Sequence, residues 1–199
     1  MLLSGIFAPE KTGGLSAYHL IADQEKKERM HFDIVSLYVS WGDQQQCFLP
    51  FKLLDSVYQN NSIPMITWEP WQNLFVKTNK YGSEEKDKNV FLRIKDGAYD
   101  AYIDQFSKQI KSLNRPVYLR FAHEADNPSY PWSQTGFNTA EEFKDAWKYV
   151  HDYFNRNNVI NVIWVWNPWH PEAIDDYFPG SNYVDWIGCR KSIRWYYSD

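Results

Sequence analysis

Arg115-Pro116-Val117-Tyr118-Leu119-Arg120-Phe121-Ala122-His123-Glu124 is apolar almost throughout, carries one arginine in mid-run and ends on adjacent histidine and glutamate. A proline at the start of a strand costs no ladder hydrogen bond. Near-continuous apolar character marks a strand covered on both faces, as in parallel sheets. Side chains alternate along a strand, so Arg120, Ala122 and Glu124 are expected on one side. A guanidinium turned into an apolar interior is costly unless paired, so a carboxylate is expected beside Arg120.

Five further β-rich runs flank this one, at residues 2–7, 32–39, 63–68, 161–166 and 184–189. Helical signatures separate them. Between 97 and 113, apolar residues fall at Tyr99, Tyr102, Phe106, Ile110 and Leu113, three or four apart. Thr139-Ala140-Glu141-Glu142 is a capping box opening a helix that buries Phe143, Trp147, Val150 and Phe154. Weaker helical patterns run over 16–30 and 50–59, and the hydrophilic stretch 77–89 reads as a loop insertion after the third strand.

Alternating strands and helices imply a parallel α/β sheet, either doubly wound or closed into a barrel. No Gly-x-Gly-x-x-Gly follows the first strand and no phosphate loop occurs, which weakens the dinucleotide-binding form. Polar and aromatic residues gather just after strand ends: Trp41-Gly42-Asp43, Trp68-Glu69-Pro70-Trp71, His123-Glu124 and Asn167-Pro168-Trp169-His170. In a (β/α)8 TIM barrel that is the face where loops build the active site. Six strand–helix units are countable in 199 residues, whereas the full barrel takes about 250. The expectation is one barrel domain over 1–199, incomplete, with its C-terminal part missing.

Composition narrows the function. Lys plus Arg number 21 against 25 Asp plus Glu, a formal charge of -4, so no basic excess exists to hold nucleic acid. No run approaches the roughly 18 apolar residues of a membrane span. Aromatics make up 18% of the chain, including ten Trp, and such rings serve both cores and sugar faces. Cys47 and Cys189 fit no metal or redox spacing and read as buried small hydrophobes. His19, His31, His151 and His170 are scattered, and no His-Glu-x-x-His occurs, so neither metal nor cofactor is expected.

Glu124, at a strand's C-terminal end, is expected at the mouth of the cleft. Aromatic rings around a carboxylic acid desolvate its charged form, which is how a general acid is kept protonated. The plainer alternative is a structural Arg120–Glu124 ion pair with His123 hydrogen-bonded in the wall.

The run Arg120-Phe121-Ala122-His123-Glu124, followed by Tyr130-Pro131-Trp132, resembles the fourth-strand signature of glycoside hydrolase family 26, the endo-β-mannanase family with some lichenase- and xylanase-type members. Collinear matches extend along the chain: residues 35–43, Ile66-Thr67-Trp68, 97–110, 161–166, Tyr177-Phe178-Pro179-Gly180 and 183–188. The resemblance implies a (β/α)8 barrel and a retaining mechanism, with Glu124 as acid/base and His123 and Arg120 orienting the carboxylates. It implies a polysaccharide substrate, with Trp132 as a sugar platform and Trp68 and Glu69 lining the cleft; for Trp68, simple packing in the barrel is an equal alternative. Trp71, Asn167 and Trp169 are further expected sugar contacts, with Tyr196 as the aromatic position after strand six. Of Trp164 and Trp166, at least one is expected in the core.

Two departures matter. The family's nucleophile is a glutamate ending strand seven, yet no glutamate follows Glu172 and the later carboxylates are Asp175, Asp176, Asp185 and Asp199. After Glu124 the chain reads Ala125-Asp126-Asn127-Pro128 where many members have Met-Asn-Gly. The expectation is a retaining endo-β-glycosidase acting on β-1,4-linked polysaccharide, complete only in a longer, secreted or cell-envelope parent. The alternative is a silent glycan-binding or polysaccharide-biosynthesis-associated barrel. Oligomeric state is not readable from these residues.

Overall fold

The computed structural model describes residues 3–9, 14–42, 47–71 and 88–188. Six strands, β1 (Gly5–Ile6), β2 (Ile34–Ser40), β3 (Ile63–Glu69), β4 (Val117–Phe121), β5 (Val162–Trp166) and β6 (Trp186–Ile187), pair in sequential order, every neighbour parallel. A doubly wound sheet reverses its strand order at a switch point; this one never does, which is the order of a barrel wall. The expected strands are all present, although the first and sixth are only two residues long. Cys189, at the end of the sixth expected run, lies outside the described residues, as do 77–87 of the expected insertion.

The helices are α1 (Tyr18–Glu28), α2 (Phe51–Gln59), α3 (Val90–Lys95), α4 (Asp100–Leu113), α5 (Ala140–Arg156) and α6 (Ile174–Tyr177). The capping box at α5 is formed: Thr139 Oγ1 accepts from the Glu142 N–H, and the Glu142 carboxylate accepts from the Thr139 N–H. Helix α3 has no counterpart among the expected elements. Its six residues are too few to show a period, and what holds it is burial of Val90, Phe91 and Ile94.

Strand alternation divides the sheet into two chemically different faces. Val35, Leu37 and Val39 of β2, Ile66 and Trp68 of β3, Leu119 and Phe121 of β4, and Trp164 and Trp166 of β5 are all buried. All but Val35 share one continuous core with Phe106, Ile110, Phe143, Trp147, Val150 and Phe154 of the helices, while Val35 packs with Ile21 and Val57 in a smaller cluster. Cys47 is buried as well. The other face, the barrel interior, carries Tyr38, Thr67 and Arg120, which are direct cross-strand partners on β2, β3 and β4. Among the described residues, no helix is long and apolar enough to cross a membrane.

Candidate active site

The interior row Tyr38–Thr67–Arg120 is hydrogen-bonded across three strands. Arg120 Nε and Nη2 donate to Thr67 Oγ1 at 2.9 and 2.6 Å, Nη2 also reaches the Tyr38 hydroxyl at 3.3 Å, and Nη1 donates to Asn167 Oδ1 at 2.9 Å. No carboxylate bonds Arg120 directly: among the described residues its hydrogen-bond partners are two hydroxyls and an amide oxygen, and Glu69 feels its charge only through space. Neutral oxygens on the neighbouring strands satisfy the guanidinium fork and spare the desolvation of a second charge. No Arg120–Glu124 ion pair forms.

Strand β4 ends at Phe121, and the alternation expected to carry through Glu124 stops there. Ala122 and Glu124 both adopt left-handed backbone, φ 43° and 51°. Such conformations cost a non-glycine residue about 1–3 kcal/mol and are held only by their surroundings. Here the Ala122 N–H donates to the Trp68 carbonyl at 3.0 Å and the Glu124 N–H to the Asn167 carbonyl at 2.7 Å. The twisted exit buries Ala122 and His123 and leaves Glu124 partly exposed at the C-terminal mouth of the sheet. Its Oε2 accepts a 2.7 Å bond from Asn127 Nδ2.

His123 is buried, and its Nε2 lies 3.0 Å from the Tyr130 hydroxyl. Burial, helped by the charge of Arg120, lowers its pKa to about 3, so the imidazole is neutral at ordinary pH. Its Nδ1 has no hydrogen-bond partner among the described residues. An unsatisfied buried donor costs more than an unsatisfied lone pair, so the proton sits on Nε2 and points at Tyr130. The Tyr130 hydroxyl then accepts from the imidazole and is free to donate into the cleft. Burial, with Glu124 and then Glu69, pushes this hydroxyl up to about 12, so it stays protonated.

Glu69 ends β3 beside Ser40, its register partner on β2. Its Oε2 accepts from Trp71 Nε1 at 3.2 Å and from Ser40 Oγ at 3.3 Å. Burial raises its pKa, against the pull of those two donors and of Arg120. Trp71 is partly exposed and stands edge-on to Trp132, ring centres 5.1 Å apart.

Three expected sugar contacts are placed otherwise. Trp68 is fully buried on the helix side, stacked on Phe106 at 4.2 Å and 9°, with Nε1 donating to the Tyr102 hydroxyl. Its parity along β3 is that of Ile66, so it faces the core while Glu69 faces the cleft. Trp132 is also fully buried: it stacks under Tyr130 at 4.4 Å and 12°, and its Nε1 donates to the His123 carbonyl. It is a floor for Tyr130 rather than a sugar platform. Asn167 is buried with its amide engaged, accepting from Arg120 and donating to the Gly188 carbonyl at 2.7 Å. Trp169 is partly exposed against His170, its backbone N–H held by Asp126. Tyr196 lies outside the described residues.

Sequence reasoning passed over Tyr38, Thr67 and Asn127 as site residues. Strand parity identifies the first two once β2 and β3 are put in register with Arg120; nothing in the sequence marks Asn127 apart from its departure from Met-Asn-Gly.

An all-parallel, sequentially ordered wall with two carboxylates, a neutral imidazole and tyrosines at its C-terminal end has the arrangement of a barrel enzyme's active-site face. The model of glycosyl hydrolase family 26 matches residues 79–198, more than half of the chain, and the chain belongs to that family. Endoglucanase H of Acetivibrio thermocellus is 33% identical over 162 residues, 77% of this chain and 16% of that protein. The β-1,3-xylanase TXYA of a Vibrio species is 29% identical over 136 residues, 65% of this chain and 27% of that one. Among solved structures, a Bacillus subtilis mannanase superposes with a TM-score of 0.70 at 17% identity, covering 94% of this chain and 61% of its own. The chain thus spans less than two thirds of each of these proteins, and only about a sixth to a quarter of the two sequence relatives.

Proposed function

We propose that this chain supplies the acid/base side of a retaining endo-β-glycanase site, acting on β-1,4-linked polysaccharide of the mannan kind. Glu124 is the general acid: it protonates the glycosidic oxygen as the bond to the anomeric carbon breaks. A second carboxylate, about 5–5.5 Å away, attacks that carbon, and Glu124 then takes a proton from the incoming water. That nucleophile is not assigned to any of the 199 residues, since no glutamate follows Glu172. Trp71 and Trp169 are the aromatic surfaces offered to the glycan, and Glu69, whose neutral form burial favours, is a partner for sugar hydroxyls.

The observation that carries this reading is the placement of Glu124: partly exposed at the strand-end mouth, with one carboxyl oxygen held by Asn127. Family membership supports glycoside hydrolysis as the chemistry. The substrate is the more open term. Relatives named for glucan, β-1,3-xylan and mannan all match, and the match covers only 16% of the endoglucanase. The test is hydrolysis of mannan, mixed-linkage glucan and β-1,3-xylan by the 199-residue chain and by any longer parent. Mannan turnover lost in Glu124→Ala supports the proposal, with trace activity or none expected from the 199 residues alone. Turnover that survives Glu124→Ala overturns it.

A further inference from the structure

The loop after Glu124 departs from the family's usual Met-Asn-Gly, and it contains the donor closest to the acid/base. We propose that Asn127 is a positioning residue that fixes Oε2 of Glu124 as a hydrogen-bond acceptor, so that Oε1 is the oxygen that carries and delivers the proton; this rests on the reading of Glu124 given above.

The amide orientation of Asn127 is set from both ends. Its Oδ1 accepts the Ser129 backbone N–H at 3.0 Å, which leaves Nδ2 as the atom 2.7 Å from Glu124 Oε2. A flipped amide would set an oxygen against the carboxylate and a donor against a donor, losing both bonds. The backbone closes the same unit, with the Asn127 N–H donating to the Glu124 carbonyl at 2.9 Å. Asn127 is buried and followed by Pro128, so neither its side chain nor its main chain has room to re-aim. Glu124 itself has left-handed backbone, and its neighbour Asp126, an acceptor only, is engaged by the Trp169 and His170 N–H groups.

An N–H donor is accepted better by the carbonyl oxygen of a protonated carboxyl than by its hydroxyl oxygen, so the Asn127 amide favours Oε2 as the unprotonated one. Protonation of Glu124 is thereby biased toward Oε1, and a proton held mainly on one oxygen is delivered mainly along one direction. Among the described residues, the other titratable or charged groups about this cluster are Asp126, Tyr130, His123, Arg120, Tyr38 and Glu69. Tyr130 stays protonated and His123 neutral across ordinary pH, and Arg120 is engaged by Thr67, Tyr38 and Asn167.

The test reads Glu124 directly, by carbon-13 NMR titration of its side-chain carboxyl in the 199-residue chain. Asn127→Asp keeps the oxygen that accepts from Ser129 but sets a second carboxylate against Oε2. The Glu124 midpoint is expected to rise by about one unit or more, as for paired carboxylates. Asn127→Ala should raise it less, and Asn127→Ser, which can restore a short donor, should bring it part of the way back. Far-UV circular dichroism and the thermal midpoint of each variant check folding; where Asn127→Asp does not fold, Asn127→Ala decides. In an active parent the same variants should lower kcat about tenfold with KM little changed, and move the basic limb of the pH profile with the NMR midpoint. A Glu124 midpoint that stays put in folded variants overturns the role of Asn127, whether or not any glycan is cleaved. A midpoint that moves while a longer parent, carrying the second carboxylate, cleaves no glycan upholds that role and removes the hydrolase reading instead.

Discussion

Arg120 Nη2 lies 2.6 Å from Thr67 Oγ1, and the two residues are direct cross-strand partners on β4 and β3. Thr67 is fully buried, and its one hydroxyl takes two of the three hydrogen-bonding atoms of the guanidinium. Thr67→Val preserves the shape but strands Nε and leaves Nη2 with only the longer Tyr38 contact. The expected loss is at the lower end of about 1–3 kcal/mol, since the stranded donors belong to a guanidinium that is only partly buried. Thr67→Ser keeps the oxygen and should lose less. Urea unfolding of the pair checks this, with a shift in midpoint at constant slope.

Trp68 and Trp71 are three residues apart, yet they should fail in different ways. Trp68→Ala empties a fully buried site stacked on Phe106, so a loss of about 3–5 kcal/mol is expected. Trp71 is partly exposed, and its removal should cost less stability while weakening retention on mannan or mixed-linkage glucan in affinity electrophoresis. Equal stability losses in the two variants would contradict the assignment of Trp68 to the core.

Parity explains how much of this was legible in the sequence. Apolar run, helix and apolar run again were enough to give a parallel α/β wall, because a strand buried on both faces leaves little room for polar residues. The same burial hid which face each residue takes. Trp68 and Glu69 look equivalent at a strand end, and only the register with Val39 and Phe121 on one side, Ser40 on the other, separates them. Glu124 was legible as a strand-end carboxylate. The partners of Arg120 were not, since pairing a guanidinium with neutral oxygens on adjacent strands requires knowing the register first.

His123 gives stability a definite pH slope. Its ordinary pKa of 6.5 falls to about 3 in the fold, through burial first and Arg120 second. Between those values the unfolded chain binds a proton that the folded chain refuses. Stability contributed here is therefore intact above 6.5 and lost as pH falls toward 3. Glu69 acts in the opposite sense: its pKa is raised by burial above 4.5, so its penalty appears as pH rises past 4.5. Plots of thermal midpoint against pH should be shallower on the acid side for His123→Gln, and should fall less above pH 4.5 for Glu69→Gln. An acid slope unchanged in His123→Gln would contradict a neutral, buried imidazole.

Asp126 ties two loops of the site together across 43 residues of sequence. Its Oδ1 accepts the Trp169 N–H at 2.8 Å and its Oδ2 the His170 N–H at 2.9 Å. Both are bonds to a charged acceptor, worth about 1.5–3 kcal/mol each. Asp126→Asn keeps one oxygen and turns an amide donor toward the other N–H, so one bond becomes a donor–donor clash. The loop carrying Trp169 should then open locally while the sheet stays closed. Hydrogen exchange distinguishes the two: the Trp169 and His170 amides should exchange roughly ten- to a hundredfold faster, the equivalent of one such bond. Amides of β4, from Val117 to Phe121, should keep their protection, because their partners lie on β3 and β5 rather than on this loop. A uniform rise across both sets would make Asp126 a determinant of global stability and not a pin for the β5 loop.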